Sequence, residues 1–549
     1  MLILRWDRGE EYELKSFDGI IVGAGHNALV LQAYLSRCGL RTLSIDQSLR
    51  PGGGLNTIEN PRIPGCRHNL HSFFHRGLTG MPWWTDLNLA ANGVEYIEPD
   101  LNVAMVTSDG RVLQWWRDFD RTVESFATFS KKDADRLRYW YQCFRPIVEK
   151  ILIPEGQSPP IDPTLRRTLL EKCAIGRRLL EVSALSPLEF VTREFEHESV
   201  RAGLLFFNGL REVDLRLEGF GHSIPSLIAS SGKAQMCVGG SYRLAEGLVR
   251  VIESHGGIVR CGERPRQIIV RGDSAVGVEL ESGERIGTDG FVVSGLNPQQ
   301  TFVDLLSDHD GFSGVKKLSS RFQYNLIAPL IGLHLVLRKP PEYHAVKNCP
   351  ELRKAFMVIL GLDRFEQFSD LVAGHEAREL RSPIAWGAAP TIFDSSQATG
   401  QRHTAFLWEK VPYEIGGDSE NWIRFGERRG KELLSLWQKS TANLTEDNIL
   451  DQFVVTPRDT VQALPNMQGS DLLVGAFSSG QVGRNRPFYE AGQYRTPVKG
   501  LYLCGGSTHP GGNVTGLAGY NAASVIAEDF HFDRWWQSTD FTSVLRSLT

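Results

Sequence analysis

The sequence predicts an α/β chain in which a nucleotide-binding domain is assembled from distant segments around a second, α+β domain. Three observations predict it. An apolar run, Ile20-Ile21-Val22, enters a glycine cluster and then a helical stretch. Another, Leu501-Tyr502-Leu503, enters a second glycine cluster near the far end of the chain. Between them, over 239–300, a glycine-led helix is followed by four short apolar runs.

The first segment is the most explicit. Ile20, Ile21 and Val22 are β-branched and apolar, which suits a buried parallel strand. Gly23 allows a tight turn, Gly25 leaves the backbone open to a pyrophosphate, and Ala28 is the third small position, where helix and strand pack closely. Leu29, Leu31, Ala33, Tyr34 and Leu35 give the helix an apolar body for packing on a sheet. Its N-terminus offers free N–H groups and the positive end of a dipole to phosphates. Gly39 ends it. Residues 41–45 read as the second strand. Asp46, about 20 residues past the glycines, is placed to accept hydrogen bonds from ribose hydroxyls. This order of parts reads as a Rossmann-type unit over roughly 17–60. Arg50, Gly52 and Gly53 follow directly. They are similar to the second fingerprint of glutathione-reductase-type FAD enzymes, where bare backbone passes close to the diphosphate and ribityl; a flexible glycine loop is the plain alternative.

Bulk properties set the frame. A chain of 549 residues is expected to form about two to four domains. The apolar fraction of 41% and charged fraction of 23% are those of an ordinary globular protein. The net charge of −4 and the lack of a basic tract give no electrostatic case for nucleic acid. The eight cysteines include no C-x-x-C pair, so neither a zinc site nor a redox disulfide is indicated. Scattered cysteines fit a reducing compartment. The N-terminal apolar run is too short for a signal peptide and no stretch reaches membrane-span length, so a cytoplasmic location is expected.

Along the chain, residues 1–16 are expected as an edge strand or a mobile arm. Residues 103–115 read as a hairpin with Asp109-Gly110 in its turn. From 121 to 230 helical patterns dominate, over 133–150 and 186–210 especially. The aromatic residues from Trp115 to Phe207 are expected as helical core, with a share in the walls of an apolar cavity. Residues 330–337 form a strand and 420–441 a helix. The expected cofactor domain is 1–120, 235–300 and 455–549; the expected substrate domain is 121–234 and 301–454.

Together, the segment from Asp18 to Gly53, the central one from Gly239 to Val293 and the C-terminal one from Tyr494 to Gly512 resemble the phytoene-desaturase-like FAD oxidoreductases. Narrowly, they resemble the phytoene-dehydrogenase-related branch, as do Gln481, Arg486 and Pro487. The resemblance implies noncovalent FAD in a two-domain fold like that of the amine oxidases, with hydride passing from a C–H bond of an apolar or alicyclic small molecule to flavin N5. It implies that Gly23, Gly25 and Ala28 lie against the diphosphate, that Asp46 holds the adenosine ribose, and that Arg50, Gly52 and Gly53 follow the diphosphate and ribityl. Gly505 and Gly506 close over the cofactor, and Val514, Thr515 and Gly516 start a last helix whose dipole stabilises the reduced ring. Two positions depart from related flavoproteins. Gly506 stands where many carry an acid, and Pro265, with no N–H to donate, stands beside Arg266 at the adenine strand.

His71 and His509 are the catalytic candidates. His71 either faces substrate or is a satisfied structural histidine; the spacing of His68, His71 and His75 invites a metal reading that no acid or cysteine completes, so no metal is assigned. His509 lies in the flavin-proximal motif, as base, donor or backbone partner. The expected acceptor of electrons is oxygen, a quinone or another carrier. Rival readings are double-bond isomerisation on reduced FAD, amine oxidation, for which no lysine can be picked out, and a non-catalytic flavin-binding scaffold. The aromatic C-terminus, with Trp535 and Trp536, is read as packing on the body, as a homo-oligomer contact or as a peripheral membrane contact.

Overall fold

The computed structural model describes residues 16–230, 234–306 and 310–549, so the expectation for the first fifteen residues lies outside the described residues. Two seven-stranded sheets organise the chain. In the first, Ser16–Val22 pairs in parallel with Thr42–Asp46 on one side and Arg285–Ser294 on the other. Ile258–Cys261 extends it beyond Thr42–Asp46, and Leu501–Leu503 pairs in parallel with Arg285–Ser294. Ser274–Leu280 and Pro265–Arg271 complete it as an antiparallel pair. The apolar β-branched residues predicted to be a central strand are that strand: Ile20, Ile21 and Val22 are fully buried.

Register decides where the site lies. Val22 stands opposite Ile45 and Ser294, and Ser294 stands opposite Leu503. Four parallel strands therefore end together, and the loops that follow them gather at one edge, the usual ligand edge of such sheets. The helix His26–Arg37 packs on this sheet against Leu517–Asp529. The two helices approach so closely that a Cβ on Gly519 would stand 1.9 Å from the Asn27 carbonyl oxygen. Gly519→Ala is expected to cost about 2 kcal/mol through overpacking, read as a lowered urea midpoint with unchanged slope.

The second sheet runs Ile449–Val455, Leu330–Leu337, His403–Lys410, Ala385–Ala388, Ala355–Leu360, Leu101–Val106, Val112–Trp116. The hairpin grouped with the cofactor segments on sequence grounds thus pairs into the other sheet, through Val103 opposite Met357. Its own alternation of apolar residues does not say which sheet it joins. Leu330–Leu337 is buried throughout, His334 included, because both faces are covered: Ile331, Leu333 and Leu335 pack with Trp422 and Trp437 of the helix Trp422–Ser440, and Leu330 packs on the opposite, helix-rich side. Phe406 and Trp408 face that same side, with Trp140, Phe144 and Phe206 from the helical run.

The aromatic tail packs on the body. Trp535 stacks on Tyr34 at 4.9 Å between ring centroids, and Trp536 meets the same ring edge-on.

Candidate active site

One cavity gathers the two glycine clusters. It is lined by Gly25, His26, Asn27 and Ala28 from the first, Gly53 and Gly54 from the second fingerprint, and Gly505, Gly506, Gly512, Asn513 and Val514 from the C-terminal motif. His26 ties the ends of the chain together, donating from Nε2 to the Asn513 carbonyl at 3.0 Å. Burial keeps this imidazole neutral, with its pKa pushed down to about 4.

The backbone at the sheet edge fits a dinucleotide diphosphate. Gly52 donates to the Ala24 carbonyl at 2.7 Å, and Gly25 and Gly52 form a parallel bridge. At Gly52, φ is 116° and a Cβ would stand 2.9 Å from Ala245, so only glycine follows this path. Gly25 differs: its φ of −68° suits any residue, and a Cβ there would meet no protein atom within 4 Å. The space beside Gly25 belongs to the cavity, at the N-terminus of His26–Arg37, where amide N–H groups favour an anion.

Asp46 sits half-buried at the end of its strand. Its Oδ2 accepts from the Ala24 N–H at 2.7 Å and its Oδ1 from the Ser48 N–H at 2.8 Å. Each oxygen keeps a second lone pair for a ribose hydroxyl. Gly23 makes the turn after the first strand. Arg50 is exposed, with its guanidinium 5.6 Å from the Tyr242 ring centroid, outside the cavity. Thr515 lies in an adjoining cavity shared with Asn513 and Val514, and its carbonyl accepts from Trp83 Nε1 at 2.7 Å. Gly516 caps a helix that begins at Leu517, slightly beyond the start expected from the sequence.

The far wall is apolar and aromatic: Phe73, Phe74, Leu330, Trp386, Trp408, Met467, Leu472 and Val474. None of the described residues of 121–230 contributes, so Trp140, Phe144 and Phe206 are core while Tyr139 is exposed, and the wall's Trp386 and Trp408 come from segments that carry no motif in the sequence. Lys410 lies in the same wall and donates from Nζ to the Ala328 carbonyl at 2.6 Å. Lys410, which no sequence motif singles out, thus stands in the cavity wall. It ends a buried strand, and only pairing of that strand opposite Ala385–Ala388 sets it beside the two tryptophans.

The two histidine candidates separate. His71 lines the cavity. Its Nε2 is 3.1 Å from Thr460 Oγ1, and that hydroxyl donates to the Thr456 carbonyl. The hydroxyl oxygen then accepts from Nε2–H, which leaves Nδ1 with a lone pair; Nδ1 is buried without a hydrogen-bond partner. Burial pushes the pKa down to about 4. His509 is not among the cavity-lining residues. It donates from Nε2 to the Glu155 carbonyl at 2.9 Å, and its own carbonyl accepts from Tyr494. That is the geometry of a clasp between the C-terminal motif and residues 153–156. His68 and His75 point elsewhere, His75 to Ser72 and Tyr96, and no group of three His, Cys, Asp or Glu suited to a metal occurs among the described residues.

These neutral histidines make the fold acid-sensitive. His26 and His71 titrate near 4 when folded, chiefly through burial, against about 6.5 unfolded. Between those values the unfolded chain binds more protons. The stabilisation is complete above pH ~6.5 and is lost as pH falls towards 4, at roughly 3 kcal/mol per histidine. The melting temperature is expected to fall steeply from pH 7 to 4; a flat profile would contradict the burial.

Comparison with known proteins agrees with this geometry. Residues 21–87 match the family model of the NAD(P)-binding Rossmann-like domain. The chain is 29% identical to a limonene dehydrogenase subunit of Castellaniella defragrans, over 96% of this chain and 97% of that protein. It is 20% identical to a lycopene-forming phytoene desaturase of Pseudescherichia vulneris, over 93% of this chain and 99% of that one. Among solved structures, cyclohexylamine oxidase from Brevibacterium oxydans superposes with a TM-score of 0.58 at 16% identity, over 94% of this chain and 100% of that chain, a likeness of fold. The chain is an oxidoreductase similar over nearly its whole length to limonene dehydrogenase and to the phytoene desaturases, with a Rossmann-like dinucleotide-binding domain and the fold of the amine oxidases.

Proposed function

We propose that the protein is an FAD-dependent dehydrogenase that takes a hydride and a proton from an apolar, alicyclic small molecule and leaves a new double bond. The observation that carries this reading is the single cavity in which a bare-glycine phosphate cradle meets an aromatic wall. FAD, held without a covalent bond, would supply the hydride acceptor. Gly23, Gly25 and Ala28 would hold the diphosphate against the first helix, Asp46 would take the adenosine ribose, and Gly52 and Gly53 would follow the diphosphate and ribityl, while Arg50, exposed beside Tyr242, stays outside the cavity. Gly505 and Gly506 cover the far end. Val514, Thr515 and Gly516 lead into the helix N-terminus that favours negative charge as hydride arrives. Phe73, Trp386 and Trp408 exclude water and orient the substrate, and His71 accepts the proton at Nδ1.

The cavity wall argues for a neutral substrate. Its lining residues include no carboxylate, so a protonated amine would meet no counter-charge and would face Lys410. The names of the two relatives, limonene dehydrogenase and phytoene desaturase, support a hydrocarbon. The electron acceptor in this reading is oxygen, a quinone or another carrier. The domain division, with the hairpin moved to the substrate domain by its pairing, and the cytoplasmic location belong to the same proposal; the eight cysteines are free thiols, and no helix among the described residues is long and apolar enough to cross a membrane.

The test is anaerobic. The purified protein is expected to show flavin absorbance that bleaches with cyclic monoterpene hydrocarbons and not with primary amines. Bleaching by amines alone would overturn the reading, and rearrangement of substrate without acceptor consumption would favour isomerisation. His71→Ala is expected to slow bleaching by about 100-fold with flavin content unchanged. With a folded pKa near 4, the wild-type rate should stay level from pH 5 to 8 on account of this residue and fall below that range.

A further inference from the structure

None of the residues that line the main cavity is exposed. A substrate therefore reaches it through a neighbouring space, and two neighbouring cavities share lining residues with it. The adjoining one, of about 540 Å3, shares Phe74, Asn513 and Val514. Exposed Gly80 and Ile153 line it, so its outer end reaches solvent. The other shares Lys410, which lines it together with His375, Glu409 and Arg429, and it opens past exposed Arg381 and Ser382.

Chemistry separates the two. An apolar guest in the second would strip water from charged groups and replace it with nothing. The lip of the adjoining cavity is apolar, formed by Met81, Leu152, Ile153 and Leu517. Its polar wall is closed on itself. Gln235 Nε2 donates to Thr79 Oγ1 and to Glu98 Oε1, both at 2.6 Å, and Gln235 Oε1 accepts from the Thr79 N–H at 3.1 Å. An apolar molecule passing these groups breaks none of their bonds. The lip is also anchored to the C-terminal segment. His509 donates to the Glu155 carbonyl, and Asn521 Nδ2 donates to the carbonyls of Gly156 and Ser158 at 3.0 and 3.2 Å. Phe74 stands between the two spaces, its ring stacked on Phe356 at 5.6 Å and its centroid 5.9 Å from the Arg76 guanidinium.

We propose that the adjoining cavity is the passage by which the apolar substrate enters and the product leaves, with Phe74 as the ring that divides it from the reaction site. The guest passes the lip at Ile153 and Leu517, slides along Val514 and displaces the Phe74 ring by rotation of that side chain, with the anchored lip staying in place. The identity of the guest rests on the dehydrogenase reading above; the path rests on the two cavities and their shared wall.

Two glycines allow the passage to be narrowed without strain. At Gly156 a Cβ would stand 3.6 Å from Leu517, an ordinary contact, and at Gly80 it would meet no atom within 4 Å. In Gly156→Phe and in Gly80→Trp, a neutral phenylnaphthylamine dye followed by stopped-flow fluorescence is expected to associate and dissociate about tenfold more slowly, with affinity and flavin content unchanged, because one raised barrier slows both directions alike. Anaerobic bleaching by a cyclic monoterpene hydrocarbon should lose the same factor at low concentration and keep its limiting rate at saturation. Ser382→Trp, at the mouth of the charged cavity, should alter none of these rates. Wild-type association rates in both glycine variants, loss of flavin from Gly156→Phe, or slowing by Ser382→Trp alone overturns the proposal. Dye rates that follow the expected pattern in a protein that no hydrocarbon bleaches overturn the dehydrogenase reading instead.

Discussion

Gly25→Val is expected to give a folded, colourless protein. Gly25 caps the first helix at φ −68° and ψ 164°, which valine adopts without strain. A Cβ there meets no protein atom within 4 Å, so the chain itself does not require glycine at this position. The space is needed by the ligand. Branched methyl groups beside the amide N–H groups would displace a diphosphate from the helix N-terminus. A loss of about 4 kcal/mol in cofactor binding is roughly three decades in affinity, enough to strip the protein during purification. Flavin absorbance per protein, with far-ultraviolet circular dichroism as the control, measures it. A yellow Gly25→Val variant with full flavin content would mean that the cradle is not where the cofactor lies.

That contrast between Gly25 and Gly52 explains what the sequence conveys and what it withholds. The strand at Ile20, Ile21 and Val22, the helix after it, and Asp46 at the second strand end are local patterns, and each occurs where periodicity places it. The C-terminal glycines are equally local, and parallel pairing of Leu501–Leu503 beside Arg285–Ser294 brings them to the same edge. The aromatic wall has no such signature. Trp386 and Trp408 face each other because Ala385–Ala388 and His403–Lys410 pair antiparallel, a register set by packing on both faces of the second sheet. Lys410 and His375 are ordinary residues until that register and the helix Gln367–Ala377 set them around one cavity. His509 shows the converse case. Its motif is legible, yet the side chain turns to a backbone carbonyl from a segment more than three hundred residues upstream, which no spacing rule reports.

Arg486 carries the second large effect. The side chain is fully buried, and its guanidinium donates to the carbonyls of Gly506, Ala476, Gln481, Val474 and Gly475. Burial lowers its pKa to about 10, which still leaves it charged, and Asp471 nearby supplies the opposing charge. Asp471 in turn accepts from the backbone N–H groups of Asn325, Leu473 and Gly475. One cation thus holds the loop 472–476, which walls the cavity, against the C-terminal glycines that cover it. Arg486→Met keeps the volume and removes every donor. It leaves a buried carboxylate without its counter-charge and several carbonyls without partners, at a cost of about 3–5 kcal/mol. Arg486→Lys restores the charge but not the fork, since one ammonium cannot reach carbonyls spread around a planar group. The expected order of urea midpoints is wild type, then Lys, then Met, and flavin retention should follow the same order because the loop and the glycines form one wall. A Met variant as stable as the wild type but depleted of flavin would place Arg486 against the ligand rather than beneath the loop; equal stability with full flavin would remove it from the architecture of the site altogether.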